Sequence, residues 1–338
     1  MYNNNIIKNN QNFFLKRKLL TIHSEDRDVA KWPNSNNFEI TLPEKLSNIE
    51  SMRLVESNFP SNYYTFSNYN RNTKLTIDIS LNNEPMVITI QEGTYTPEQM
   101  ATELSTIIEN KLSTGNKFKV HYDIVSQKFH FLSDSQFTLK FKNESNYDET
   151  CNITDTFKNH INWGLPYNLG FDKKDYNSTD ASFNLYYDDN FNNFNNTKKY
   201  NYNISAPYTC KMLGDRNIYM EVEKYNSYNE LTPYFDISDK EMFDPYNGIV
   251  NSAFAKIPIL SKIHNSYYVD SINNYTQNLT TFTPPLERLS KLKFKFRYHD
   301  GRLVDFNKTP FDFTIEFNTL VNEINKTYNV RIPSTYLL

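Results

Sequence analysis

The chain has 338 residues and a formal net charge of −3, with 36 basic and 39 acidic side chains mixed along most of its length. That balance leaves no large basic face for gripping phosphates, so nucleic acid is not favoured as a partner. Tyr and Phe number 25 each although hydrophobic residues make up only 38% of the chain, which indicates a folded, aromatic and β-rich core and argues against disorder.

The cysteine count and the hydropathy of the sequence indicate where in the cell the protein folds. The two cysteines, Cys151 and Cys210, are too few for a disulfide scaffold or a zinc site. No secretory signal is visible, and no stretch approaches the roughly 18 apolar residues of a membrane helix. We therefore expect a soluble protein that folds in a reducing compartment and has no membrane span.

The N-terminal region begins with an Asn-rich stretch, residues 1–18, which we interpret as a flexible arm. Its basic run, Lys16-Arg17-Lys18, is interpreted as solvated charge, with contact to an acidic partner or nucleic acid as the alternative. A charged turn at residues 24–28 precedes residues 38–42, where alternate apolar side chains predict a strand. A second strand is predicted over residues 51–60.

A small α+β lobe is predicted over residues 70–172. The clearest helix spans residues 97–112, because Thr96 is a good N-cap, Pro97 occupies the first helical position and Gln99 completes a capping box. Strands with alternating apolar residues surround it, at residues 75–81, 86–90, 118–122, 128–131 and 137–141.

The C-terminal half continues with an Asn- and Tyr-rich segment, residues 173–205, interpreted as a long loop. Further strands are predicted at residues 216–223, 253–259, 289–298 and 311–317, and residues 321–338 form a tail. We expect a mainly β fold, a β-sandwich of residues 19–65 and 206–320 into which the lobe is inserted, with two sequential domains as the alternative. In the sandwich, the strand at 38–42 is predicted to pair near the strand at 311–317.

Catalytic and ligand-binding motifs are missing from the sequence. The six histidines form no metal-binding motif, and His121 and His130 on neighbouring strands are interpreted as sheet histidines. No Gly-rich phosphate loop or nucleophile motif occurs. Asp300, Asp305 and Asp312 lie near a turn but lack the spacing of a calcium loop. We therefore assign no catalytic, cofactor-binding or metal residue and expect neither a cofactor nor an enzyme.

A series of short motifs is more informative than any one of them. They are Ser-x-Asp-Arg at 24–27, Trp-Pro-x-Ser-x-x-Phe at 32–38, Phe-Pro-Ser-x-Tyr at 59–63, Glu-Gly-Thr-Tyr-Thr-Pro-Glu-Gln at 92–99 and Leu-Gly-Phe at 169–171. Residues 255–258, 286–296, 300–301 and 311–317 continue the series. In this order the chain resembles the minor-capsid or penton-type virion structural proteins of nucleocytoplasmic large DNA viruses.

The resemblance implies a β-sandwich, with the jelly roll as its expected form, and carries over no catalytic residue. It implies a structural role in the virion, assembly in the host cytoplasm, and contacts with other capsid proteins, the major capsid protein and self-copies among them. The alternative is a receptor- or glycan-binding surface protein that stacks ligands on Tyr186, Tyr187, Tyr200 and Tyr202. A third hypothesis is a β-sandwich hydrolase that uses scattered carboxylates.

Overall fold

The computed structural model describes residues 13–60, 64–80, 84–112, 117–141, 164–185, 198–231, 250–259, 267–270 and 278–322. The chain forms two compact units. Among the described residues, unit 1 combines those before position 63 with those from position 216 onward, and unit 2 is formed by the described residues between 64 and 215. No helix in the described ranges combines the length and apolar character needed to cross a membrane.

Strands dominate both units. The first three strands belong to unit 1: β1 (Phe13–His23), β2 (Asn37–Leu46) and β3 (Ile49–Phe59). Unit 2 contains β4 (Lys74–Ile79), β5 (Met86–Thr89), α1 (Pro97–Lys111), β6 (Phe118–Asp123), β7 (Lys128–Ser133), β8 (Phe137–Leu139), α2 (Leu165–Asn168), β9 (Tyr176–Asn177), β10 (Thr179–Leu185) and β11 (Lys198–Ser205). Unit 1 then resumes with β12 (Asn217–Val222), β13 (Tyr228–Leu231), β14 (Val250–Ala253), β15 (Ala255–Pro258), β16 (Tyr267–Asp270), β17 (Leu279–Leu286), β18 (Leu289–Arg297) and β19 (Asp312–Asn322).

Unit 1 is a jelly roll. One antiparallel sheet has the order β1-β19-β3-β16, with β17 pairing further along β3, and the other has the order β15-β12-β18-β2. The strands can be renumbered 1 to 8 in chain order, with β16 and β17 counted as one strand and the β13–β14 hairpin left out. Their order is then 1-8-3-6 in one sheet and 5-4-7-2 in the other. That order is the signature of an eight-stranded jelly roll. The mainly β, sandwich-type fold expected from the sequence is therefore confirmed.

Aromatic side chains fill the space between the two sheets of unit 1. The ring of Phe294 on β18 lies 5.5 Å from Phe38 on β2 and 5.0 Å from Phe313 on β19, measured between centroids. Phe59 on β3 lies 5.6 Å from Phe296 on β18. All five rings are fully buried. Because tilted and edge-to-face pairs add to the stabilisation from burial, this row of rings joins the sheets.

Unit 2 is an α+β unit with two four-stranded sheets, β5-β4-β8-β9 and β10-β11-β7-β6. The helix α1 begins as its sequence predicts, with the Thr96 hydroxyl accepting from the Gln99 amide and the Gln99 side chain accepting from the Thr96 amide. Its buried face includes Leu104 and Ile108, and the Ser105 hydroxyl accepts a hydrogen bond of 2.9 Å from the Val120 amide on β6. The helix thus covers the sheet.

Three element assignments differ from the sequence-based ones. Residues 13–18, assigned to the arm, open the strand β1, because β19 offers a full-length antiparallel partner. The segment 173–205, interpreted as a loop, contains β9, β10 and β11, and β11 pairs with β7. The assigned tail from residue 321 starts inside β19. Residues 1–12, 186–197 and 323–338 lie outside the described part.

The predicted pairing between residues 38–42 and 311–317 is wrong. The strand β2 pairs with β18, with Phe38 opposite Phe294, while β19 lies between β1 and β3 in the other sheet. The reason is topological, since successive strands of a jelly roll at the chain ends alternate between sheets. The last strand, β19, therefore pairs with the first, β1. The alternation of apolar and polar residues in the sequence did not reveal this pairing.

Candidate functional site

The charged turn at residues 24–33 is held together by its own side chains. The guanidinium of Arg27 donates to three backbone carbonyls of the turn, those of Ser24, Trp32 (2.9 Å) and Pro33 (3.2 Å). Ser24 also exchanges hydrogen bonds with Phe311, its amide donating to the Phe311 carbonyl and its hydroxyl accepting from the Phe311 amide. The Ser-x-Asp-Arg motif at residues 24–27 therefore stabilises the turn, and its arginine forms hydrogen bonds within the chain.

A buried ionic cluster lies beneath the β13–β14 hairpin. Arg297 on β18, 1% exposed, forms ion pairs with Glu221 on β12 and Glu230 on β13. Its guanidinium also lies 5.2 Å from the ring centroid of Tyr219. Burial raises the pKa of the Tyr219 hydroxyl, and its hydrogen bond with Glu230 adds to the shift. The ion pairs connect the β13–β14 hairpin to the sheet, so a structural role accounts for this buried cluster.

The two sheet histidines are direct neighbours. His121 lies opposite His130 across β6 and β7, with ring centroids 6.2 Å apart, and His130 Nδ1 lies 2.8 Å from the Ser205 hydroxyl. Burial lowers the pKa of both imidazoles. Across the part of the chain that the structure describes, no group of three or more His, Cys, Asp or Glu side chains could hold a metal ion. Cys210 is a free thiol whose pKa is raised by burial, and Cys151 lies outside the described residues.

The three aspartates near the last turn serve local contacts. Asp300 pairs with Arg302 at 2.5 Å, and Asp305 accepts from the Asn307 amide at 2.9 Å. Asp312 accepts from the Asn58 amide group at 3.3 Å. The pair of converging carboxylates that the hydrolase hypothesis requires is not formed by these three residues.

The tyrosines proposed for glycan stacking do not form a described surface. Tyr200 is only 2% exposed, and burial raises the pKa of its hydroxyl to about 12. Tyr202 is half-buried against the core of unit 2. Tyr186 and Tyr187 lie outside the described residues. Tyr200 cannot offer its face to a ligand because its side chain is buried on the sheet strand β11, where the sequence had predicted a loop.

The strand β1 presents an open edge with apolar side chains. It pairs with β19 over eleven consecutive residues, and among the described strands no other one pairs with it. Leu20 and Ile22 face the core of unit 1. On the opposite face Phe13, Leu15 and Leu19 are 51%, 61% and 52% exposed. We call these three residues the β1 strip.

Positive charge runs along the same strand. Arg17 pairs with Glu316 at 2.5 Å, and Lys18 pairs with Glu44. Burial raises the pKa of the Glu316 carboxyl, but hydrogen bonds from Arg53 and Asn318 and the charges of Arg53 and Arg17 outweigh it, so the net pKa is lowered. Lys16 has no carboxylate partner within the described ranges. Because side chains alternate along a strand, Arg17 lies on the face of the β1 strip between Leu15 and Leu19, and Lys16 lies on the other face.

An edge strand of this kind can bind another strand. Its outer N–H and C=O groups are available for a ladder, and a long apolar edge in water is otherwise an aggregation hazard. Addition of a partner strand would satisfy the edge and cover the strip. The sequence-based interpretation missed this surface because the run Lys16-Arg17-Lys18 breaks the alternation of apolar residues, and the segment was taken for an arm.

Comparison with known proteins gives structural similarity only. No protein-family model matches the chain, and no curated protein matches it. The chain is similar to the mavirus penton protein, at 12% sequence identity and a TM-score of 0.42, over 91% of this chain and 100% of that one. It is also similar to a chain of the Sputnik virophage cryo-EM structure, at 11% identity and a TM-score of 0.39, over 90% and 98% of the two chains.

At these identities and TM-scores the similarity decides neither function nor contacts. The jelly-roll fold follows from the strand order of unit 1 by itself.

Proposed function

We propose that the protein is a non-enzymatic structural component of a large DNA virus particle, a minor capsid or vertex protein of the penton type. The observation that supports this most is a jelly roll whose edge strand β1 carries the β1 strip and pairs, among the described strands, with β19 alone. Jelly rolls are a common building block of viral capsids. An eleven-residue strand whose outer edge pairs with no described strand favours aggregation of a free monomer, whereas in an assembly the same edge can bind a neighbouring subunit.

The partner is another capsid protein that adds a strand to β1. Two β1 strands pairing antiparallel over their full length about a twofold axis would place Lys18 opposite its own copy, with Arg17 and Lys16 of both strands close by, which is unfavourable. A strand with acidic residues opposite this run and apolar residues opposite Leu15 and Leu19 fits instead. Covering each half-exposed side chain of the strip would contribute roughly 1 kcal/mol.

The proposal is tested first on purified particles. Mass spectrometry should detect the protein in mature virions, and a particle reconstruction should place its density in contact with neighbouring capsid subunits. Absence of the protein from mature particles would refute the structural role.

The edge itself is tested with a double variant, Leu15→Glu with Leu19→Glu, in virus that carries no wild-type copy. Because a charged strip cannot be covered by an apolar strand, we expect incorporation into particles to fall at least tenfold. Val125→Glu, at a position that is 88% exposed in unit 2, serves as the matched control and should be incorporated normally. Circular dichroism of the purified variants establishes that each one folds. Normal incorporation of a folded double variant would exclude β1 as the contact.

A further inference from the structure

One wall of a pocket on unit 2 is formed by two chain segments that are joined by hydrogen bonds. The Tyr208 amide donates to the Gly170 carbonyl at 3.1 Å, and the Lys211 amide donates to the Asn168 carbonyl at 2.7 Å. The Asn168 side-chain amide returns a bond of 2.9 Å to the Lys211 carbonyl, and Asn168 is only 4% exposed. Three hydrogen bonds therefore hold the segment 208–211 against residues 168–170 at the end of α2, so the wall of the pocket is fixed by backbone contacts.

The pocket has a volume of about 340 Å³ and is lined by aromatic and basic side chains. That volume lies in the range of small-molecule sites, roughly 300–1,000 Å³. Phe171 is 2% exposed and contributes apolar wall, whereas Tyr208 is 55% exposed and presents its ring to solvent.

A positioned ammonium group accompanies these rings. Lys211 Nζ lies 3.7 Å from the ring centroid of Tyr167, a cation–π contact that orients the charge. No carboxylate in the described ranges lies within ion-pair distance of Lys211. Asp172, which also lines the pocket, has Lys174 Nζ at 3.4 Å from its carboxylate. With Lys173 as a further lining residue, the two lysines outnumber the one aspartate, and the pocket carries net positive charge.

These features select a small anion with one apolar face. A pyranose ring presents a face of C–H groups that stacks on an aromatic ring, and the exposed Tyr208 provides such a ring. A carboxylate on that sugar would meet the Lys211 ammonium in a charge-assisted hydrogen bond. We propose that this pocket binds a carboxylated sugar of the kind carried at the ends of acidic cell-surface glycans. The site is distinct from the proposed assembly role, because it lies on unit 2 and not on β1.

The experiment uses the full-length protein with N-acetylneuraminic acid and glucuronic acid as probes, galactose as the neutral control and inorganic phosphate as the non-sugar anion. Saturation-transfer NMR should show ring-proton signals for at least one acidic sugar, and titration should give saturable binding. In Lys211→Gln and Tyr208→Ala we expect affinity to fall by about tenfold or more, as expected for a lost charged hydrogen bond or stacking contact.

Two controls separate binding from folding. Lys117→Ala and Tyr64→Ala remove exposed residues of the same types on unit 2, outside the pocket, and should bind like wild type. Melting curves should show that the pocket variants fold. The proposal is overturned if wild-type protein binds neither acidic sugar at millimolar concentration, if galactose or phosphate binds equally well, or if folded pocket variants keep full affinity.

Discussion

Replacement of Gly170 by alanine is the most demanding test of the geometry of unit 2. Gly170 has φ +90°, a left-handed conformation, and an alanine Cβ at this position would lie 2.3 Å from the carbonyl oxygen of Tyr208 and 3.1 Å from that of Thr209. Carbon–oxygen contacts normally lie at about 3.3 Å or more. Because both obstacles are backbone atoms, the two segments would have to move apart by about 1 Å.

The cost has two components. The left-handed conformation costs an L-residue roughly 1–2 kcal/mol. Separation of the segments breaks the bond from the Tyr208 amide to the Gly170 carbonyl, and a buried group left without a partner costs about 1–3 kcal/mol. We therefore expect Gly170→Ala to lower the free energy of unfolding by about 2–5 kcal/mol.

Two other glycines isolate these components. Gly301 has φ +87° and a Cβ added to it would meet nothing within 4 Å, so Gly301→Ala should cost only the conformational part, about 1–2 kcal/mol. Gly214, in the same unit as Gly170, has φ +67° and its Cβ would meet the methyl group of the Thr65 side chain at 3.1 Å, an obstacle that can rotate away. Gly214→Ala should therefore fall between the other two.

Urea unfolding followed by circular dichroism gives the three free energies, and hydrogen exchange reports on the Tyr208 amide. We expect fast exchange of this amide in Gly170→Ala alone. If Gly170→Ala costs no more than Gly301→Ala and the Tyr208 amide stays protected, the close approach of the two segments is incorrect.

Three further variants test other parts of the structure by urea unfolding. Arg297→Met should cost about 3–5 kcal/mol because it leaves Glu230 buried without its cation, and adding Glu230→Gln should recover most of the loss; equal instability of the single and double variants would contradict the ion pair. In the folded state, burial holds the pKa values of His121 and His130 below their ordinary value of 6.5, so on acidification the unfolded chain binds protons first and stability should fall as the pH drops below about 6.5. Replacement of both histidines by Asn should flatten this pH dependence of the free energy of unfolding. An unchanged slope would contradict the role of the two histidines. Thr96→Ala removes the N-cap of α1 and should cost about 1 kcal/mol, whereas no measurable loss would show that the cap is dispensable.

Local structure was predictable wherever the signal is contained in neighbouring residues. Thr96, Pro97 and Gln99 predict the start of α1, and the helix begins there with the expected capping box. Alternation predicts β2 and β18: β18 ends within one residue of its prediction, whereas β2 runs four residues further, to Leu46. The strand β1 was not predictable because its basic run interrupts the apolar pattern, and only the adjacent β19 keeps it extended.

The candidate surfaces were less predictable than the elements. Arg27 gave no sign that it would bind three carbonyls of its own turn, since those bonds depend on how the chain folds back at Pro33. Tyr200 lies in a polar, Asn-rich stretch yet is buried, because β11 lies between β10 and β7 and Tyr200 clusters with the buried Leu132 of β7. Lys211 and Tyr167 lie far apart in sequence and are brought together by the hydrogen bonds that Asn168 and Gly170 form with the segment 208–211.

The sequence by itself determined a β-rich fold with an aromatic core, one capped helix and a chain without phosphate-binding or nucleophile motifs, because composition, period and capping act over a few residues. The tertiary structure decided which strands pair, which edge stays open and which tyrosines are exposed. These properties depend on contacts between residues distant in the chain, such as Phe13–His23 with Asp312–Asn322. The period of two is the same for any pair of strands, so it specifies the faces of a strand and leaves its partner to long-range packing.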